Sequence, residues 1–105
     1  MIQNEVIVKR WPEDKIPDET EIRKMLADEG LEFYQWSNWP RDVYSAHNHP
    51  YHKVIYVLQG SITFGLPDKD DRVTLNTGDR LELSAGTNHD AVVGDQGVIC
   101  LEAHR

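Results

Sequence analysis

Two hydrophobic periods divide the chain. Between Pro17 and Gly30, Ile22, Met25 and Leu26 fall at helical spacing, with Glu29 completing the series. Asp18 can cap this segment, and Glu21 three residues on completes a capping-box pattern. The acidic first turn (Asp18, Glu19, Glu21) suits the positive end of a helix dipole, and Gly30 supplies a stop. The pattern predicts a short helix over residues 18–29. Beyond Gly30 the period becomes two. Strands are predicted at 31–36, 43–47, 53–58, 61–66, 72–76, 80–83, 89–93 and 98–102. Gly60, residues 67–71, Gly78-Asp79, Gly86 and residues 94–97 read as turns between them, the last as a hairpin turn. Many short strands bounded by Gly, Pro and Asp indicate an all-β sandwich or barrel.

One strand breaks the alternation. In 53–58, Ile55 and Val57 occupy one parity while Val54, Tyr56 and Leu58 occupy the other. A strand with a wet outer face should alternate. The second face therefore needs a cover, either the N-terminal segment or a second subunit, and a homodimer is expected. The organisation read from the pattern is an N-terminal strand and helix extension over 1–30 and a β-barrel over 31–105, one domain overall.

Composition narrows the class. The 105 residues carry 11 Lys plus Arg against 18 Asp plus Glu, a net charge of −7. No basic stripe is present to release phosphate counterions, so nucleic-acid binding is not expected. No apolar run approaches the ~20 residues of a membrane span, and the first residues lack the pattern of a secretory signal. A single cysteine, Cys100, excludes an internal disulfide and a cysteine-based zinc site. Its place on the last predicted strand reads as core. A soluble, cytoplasmic protein is expected. Trp11, Trp36 and Trp39 read as packing anchors, with Trp36 also placed to line a barrel mouth. Tyr34, Tyr44, Tyr51 and Tyr56 are candidate pocket hydroxyls.

The candidate chemistry lies in the histidines. Five occur, and three crowd into His-Asn-His-Pro-Tyr-His-Lys, residues 47–53. His47 and His49 are two apart on an extended stretch, so both face the same way. Two imidazoles on one face form half of a first-row metal site, and His89 begins a later strand that a sandwich could bring opposite. By itself such a pair is more often a solvated strand end than half of a metal site. His52 has the opposite parity and reads as a rim residue, unless a bulge at Pro50 shifts it into the ligand set. His104 reads as a tail residue without a role.

The surrounding glycines give these histidines a context. Residues 47–60, with His47, His49 and Gly60, resemble the first motif of the cupin superfamily: His-x-His, three residues, an acid, six residues, Gly. Residues 78–89, with Gly78, Gly86 and His89, resemble the second: Gly, five residues, Pro-x-Gly, two residues, His. Tyr-Val-Leu-Gln-Gly (56–60) and Thr-Gly-Asp-Arg-Leu (77–81) are similar to small single-domain cupins, as is the helix followed by an aromatic-rich strand. The chain departs from the pattern at three places: Lys53 stands at the acidic position, Ser84 at the proline, and Val93 where an Asn is usual.

The resemblance implies a double-stranded β-helix barrel preceded by a short helix, with one divalent transition ion (iron, manganese, nickel or zinc) in its mouth. Its ligands would be His47, His49 and His89. Lys53, Trp36 and Tyr51 are the candidate substrate contacts. An inward ammonium ~5 Å from a divalent ion would be repelled by about 7 kcal/mol at an effective dielectric of 20. Lys53 must therefore reach solvent, meet an acid such as Glu82, lose its proton, or share an anion with the metal. Neutral ligands leave the ion its full charge, which favours carboxylates or enolates. Cupins include oxygenases, isomerases and enolising enzymes, and also non-catalytic sugar-sensing and effector-binding modules with or without metal. A metalloenzyme acting on a small anionic molecule and a small-molecule-binding module are both compatible with the sequence, as is a barrel whose histidines bind nothing.

Overall fold

A computed structural model describes residues 5–105. Its elements are β1 (Val6–Lys9), α1 (Glu19–Asp28), β2 (Phe33–Asn38), β3 (Val43–His47), β4 (Lys53–Leu66), β5 (Asp71–Asn76), β6 (Arg80–Leu83) and β7 (His89–His104), with a 3-10 turn at Pro67–Lys69. All strand pairings are antiparallel. The long strands β4 and β7 pair with each other and organise the rest: β5 and β6 attach to β4, β2 and β3 to β7, and β1 to β6.

The helix forms as its sequence dictates. Asp18 accepts from Thr20 N at 2.8 Å and Glu21 accepts from Asp18 N at 3.3 Å, closing the capping box. Gly30, at φ +75°, ends it in the left-handed region. Ile22 and Leu26 are fully buried against Val54, Tyr56, Leu58, Leu101 and Ala103, whereas Met25 stays 38% exposed. α1 is thus the cover that the two-sided apolar strand requires. The apolar face of Val54, Tyr56 and Leu58 gives no reason for a second subunit.

The second core lies between the two halves of the fold. Ile55, Val57, Ile62, Phe64, Leu66, Leu75, Leu81, Leu83, Ala91, Val93, Val98 and Cys100 form one buried cluster. The inward positions of β4 are odd before Gly60 and even after it; those of β7 switch the same way between Val93 and Val98. Two strands, not four, are therefore present here, which corrects the turns expected at Gly60 and residues 94–97. Register shifts between Val57/Gln59 and Gly60/Ile62 mark the bulge that changes parity. Gly60 and Gly97, at φ +77° and +78°, bend the paired strands together at this corner. A Cβ on Gly60 would lie 2.0 Å from the Gly97 carbonyl oxygen. A glycine with a change of period looks like a hairpin in one dimension, because a bulge and a turn use the same residue types.

Trp39 is 80% exposed and anchors no core, contrary to its expected packing role. Trp11 does pack, closing over Gly78, where a Cβ would meet the Trp11 Cβ at 2.8 Å. Asp79 fixes the same turn, accepting from Trp11 N at 3.1 Å and Asn76 N at 2.9 Å and pairing with Arg10 at 2.9 Å. No described helix is long and apolar enough to cross a membrane.

Candidate metal centre

Strand ends deliver the histidines. His47 closes β3, His89 opens β7, and the two are directly opposite in the β3–β7 ladder. His49 follows in the connection to β4. The ring centroids of His47 and His49 are 4.8 Å apart, those of His47 and His89 4.4 Å, and those of His49 and His89 5.3 Å. One nitrogen from each of the three lies within 4.8 Å of the others, a spacing that could hold a metal ion.

Their hydrogen bonds leave the inner nitrogens free. His47 Nδ1 donates to Ser45 O at 2.6 Å and His89 Nδ1 to Thr87 O at 2.9 Å, which fixes the tautomer and leaves each Nε2 with a bare lone pair. His49 Nε2 is buried and has no hydrogen-bond partner. Burial lowers the His49 pKa, with the Lys53 charge adding to the effect, and burial likewise lowers that of His89. His49 and His89 therefore favour the neutral imidazole form that ligates a divalent first-row ion. The orphaned His49 nitrogen is the observation that fits such an ion best, because an unpartnered buried polar atom is otherwise costly.

The histidines open on a cavity of about 310 Å³. Ile55, Ile62, Phe64 and Ala91 make its apolar wall, and Tyr34, Trp36, Tyr44, Tyr51, Lys53 and Glu102 complete it. Of the four candidate tyrosines, only Tyr56 is elsewhere: it lies on the α1 side and accepts from Arg80 at 3.0 Å. Tyr51 stacks between His49 and His104, at 4.9 and 3.8 Å between centroids.

The residue that sequence reasoning missed is Glu102. It is 4% exposed and faces inward opposite Ile55 and Tyr34. Its Oε2 accepts from Tyr34 OH at 2.6 Å and His104 Nε2 at 2.7 Å, and its Oε1 from Trp36 Nε1 at 3.0 Å. Lys53 Nζ lies 3.7 Å from Oε1. Burial alone would raise the Glu102 pKa, but these donors and the Lys53 charge hold it below the usual carboxylate value. Burial lowers the Lys53 pKa, opposed by the carboxylate. The acid that meets Lys53 is thus Glu102, not Glu82, and His104 has a structural partner after all. The signal was available in the parity of Val98, Cys100, Glu102 and His104: two residues beyond an inward cysteine, a glutamate must also point in. Cys100 itself is fully buried, with its thiol pushed up to about 12 by burial.

His52 points away from the cavity. Its Nε2 meets Glu82 Oε1 at 2.9 Å, and Glu82 Oε2 accepts from Arg80 Nε at 3.0 Å. Arg80 in turn holds Glu29, the cap of α1, in a fork at 2.5 and 2.9 Å. Strand parity places His52 in this outer network, and no bulge at Pro50 brings it to the other three histidines.

A family model for the cupin domain matches residues 37–103, more than half of the chain. The chain is a cupin. Solved structures agree with the fold. The polyketide cyclase RemF from Streptomyces resistomycificus is 26% identical, with a TM-score of 0.63 over 70% of this cupin and 54% of the cyclase. KdgF from Halomonas sp. is 27% identical, with a TM-score of 0.57 over 71% and 69% of the two chains. A DUF861 family protein from Thermotoga maritima, 15% identical, matches with a TM-score of 0.66 over 96% of this cupin and all of its own length, a likeness of fold alone. This cupin spans about half the length of the cyclase it matches. No curated protein matches the sequence.

Proposed function

We propose that this cupin is a metalloenzyme of the oxygenase or isomerase class that acts on a small anionic molecule. His47, His49 and His89 would hold one divalent transition ion through their free ring nitrogens. The observation that carries the reading is the convergence of three imidazoles within reach of one ion, with His49 Nε2 buried and unpartnered. When bound, the ion would supply Lewis acidity toward a substrate oxygen, or redox chemistry if it is iron or manganese. The chain's own residues do the rest. Tyr51 braces His49 by stacking, Lys53 offers positive charge to an anionic substrate, and Trp36 and Phe64 keep water from its body. A cyclase among the similar structures supports an enzyme over an inert barrel.

The reading is tested by metal analysis of untagged protein. About one equivalent of a transition metal is expected, lost in His47→Ala, His49→Ala and His89→Ala. Metal content unchanged in all three variants would overturn it.

One observation favours the second reading, a non-catalytic binding module. Glu102, the carboxylate in the cavity, is committed to Tyr34, His104 and Trp36 and is not free to take a substrate proton. A ligand that co-purifies unchanged with metal-loaded protein under turnover conditions would select that reading.

A further inference from the structure

We propose that the cavity receives a small, flat monocarboxylate anchored on Lys53, and that Glu102 limits the ligand to a single negative charge. The inference deepens the reading above by naming the ligand class, but it requires no metal.

Lys53 has donors to spare. Its nearest anionic oxygen, Glu102 Oε1, is at 3.7 Å, beyond hydrogen-bond range, and its side chain is 11% exposed where it lines the cavity. Glu102 does not depend on it, because Tyr34, His104 and Trp36 already hydrogen-bond both carboxylate oxygens. An ammonium has three N–H groups. Lys53 lines the cavity, and a carboxylate is the natural acceptor for that capacity. The Lys53 side chain is largely buried at this point, so a charge-assisted bond to it is worth more than one at a surface.

Size and shape narrow the class. A cavity of about 310 Å³ equals roughly ten water volumes, at ~30 Å³ each, so it suits a ligand of about that many heavy atoms. The Phe64 ring, the Trp36 indole and Ile62 favour a planar or branched apolar body. Charge sets the last limit. Lys53 and Glu102 face each other at 3.7 Å and balance each other's charge. One carboxylate is drawn to Lys53, whereas a second would face the fixed Glu102 anion.

The test uses chelator-treated, metal-free protein and calorimetric titration with benzoate, its neutral isostere benzamide, and the dianion phthalate. Wild type should bind benzoate roughly tenfold more tightly than benzamide, the difference expected of one charge-assisted hydrogen bond. Phthalate should bind more weakly than benzoate. Lys53→Met should abolish the preference for benzoate, and Glu102→Gln should strengthen benzoate and admit phthalate. Should Lys53→Met not fold by circular dichroism, Lys53→Gln takes its place. Equal affinity for benzoate and benzamide, no binding of either, or a preference that survives the loss of the lysine would each overturn the proposal. Failure here leaves the metal content intact, and absence of metal leaves this titration intact, so the two readings fall separately.

Discussion

Lys53 and Glu102 stand diagonally across the β4–β7 ladder, Nζ to Oε1 at 3.7 Å, with Lys53 opposite His104 and Glu102 opposite Ile55. The position that resembles the acidic ligand of other cupins thus carries a base. A carboxylate from the neighbouring strand supplies the balancing charge. It is held by its own three donors and is not part of the cluster that could ligate a metal.

That arrangement makes Glu102 a source of acid sensitivity. Its native pKa lies below the ordinary 4.5, so the stability it contributes is complete above about pH 4.5 and is lost as the pH falls through the native value. Melting temperatures of wild type and Glu102→Gln should therefore converge on acidification below pH ~4.5. A gap that is constant with pH would refute the prediction.

The outer network predicts a different phenotype for His52. The connection bearing His49 is pinned at His49 O by Gly86 N at 2.8 Å and at His52 O by Arg105 N at 2.9 Å, while the His52 ring is tied to Glu82. His52→Ala should keep every proposed ligand yet weaken metal affinity roughly tenfold, as loss of a residue that orients ligands does. His52→Gln, whose amide can still donate to Glu82, should recover most of it. The cobalt absorption spectrum gives a check that a purely structural loss would not move. An unchanged spectrum and affinity in His52→Ala would remove His52 from the site's support.

The helix carries a stability prediction. Leu26 is fully buried between α1 and the strands, so Leu26→Ala should cost about 2–5 kcal/mol in urea unfolding. Met25, on the exposed side of the same helix, should tolerate alanine at well under 1 kcal/mol. Equal costs would mean that α1 is not the cover of β4.

What the sequence made legible followed from short-range rules. The helix and its capping box, the boundaries of β3 and β6, and the grouping of His47, His49 and His89 all rest on spacing within about a dozen residues or on motif resemblance. The rest depended on which strands pair. Alternation with Cys100 states which way Glu102 points, but not that β7 lies between β2 and β4, which is what sets Glu102 in the cavity wall beside Tyr34 and Trp36. The single strands β4 and β7 look like two each in the sequence because a bulge flips parity where a glycine sits. Glu82 looked like the partner of Lys53 but has the opposite parity on its strand, which sends it to His52 and Arg80.

The glycine corner yields the last prediction. Gly30 and Gly60 have almost the same φ, +75° and +77°, but different surroundings. A Cβ on Gly30 meets nothing within 4 Å, whereas one on Gly60 would lie 2.0 Å from the Gly97 carbonyl oxygen. Gly30→Ala should therefore cost only the left-handed penalty of an L-residue, about 1–2 kcal/mol. Gly60→Ala should cost that and the separation of β4 from β7 as well. Those strands carry the inward residues on both sides of the corner, with Lys53 before it on β4 and His89 and Glu102 on either side of it on β7. Gly60→Ala should thus lower both unfolding free energy and metal affinity, while Gly30→Ala should lower only the first. Chemical denaturation paired with metal titration separates them. Equal destabilisation by the two substitutions would show that backbone strain alone, and not the close approach of the strands, is what the glycine at position 60 relieves.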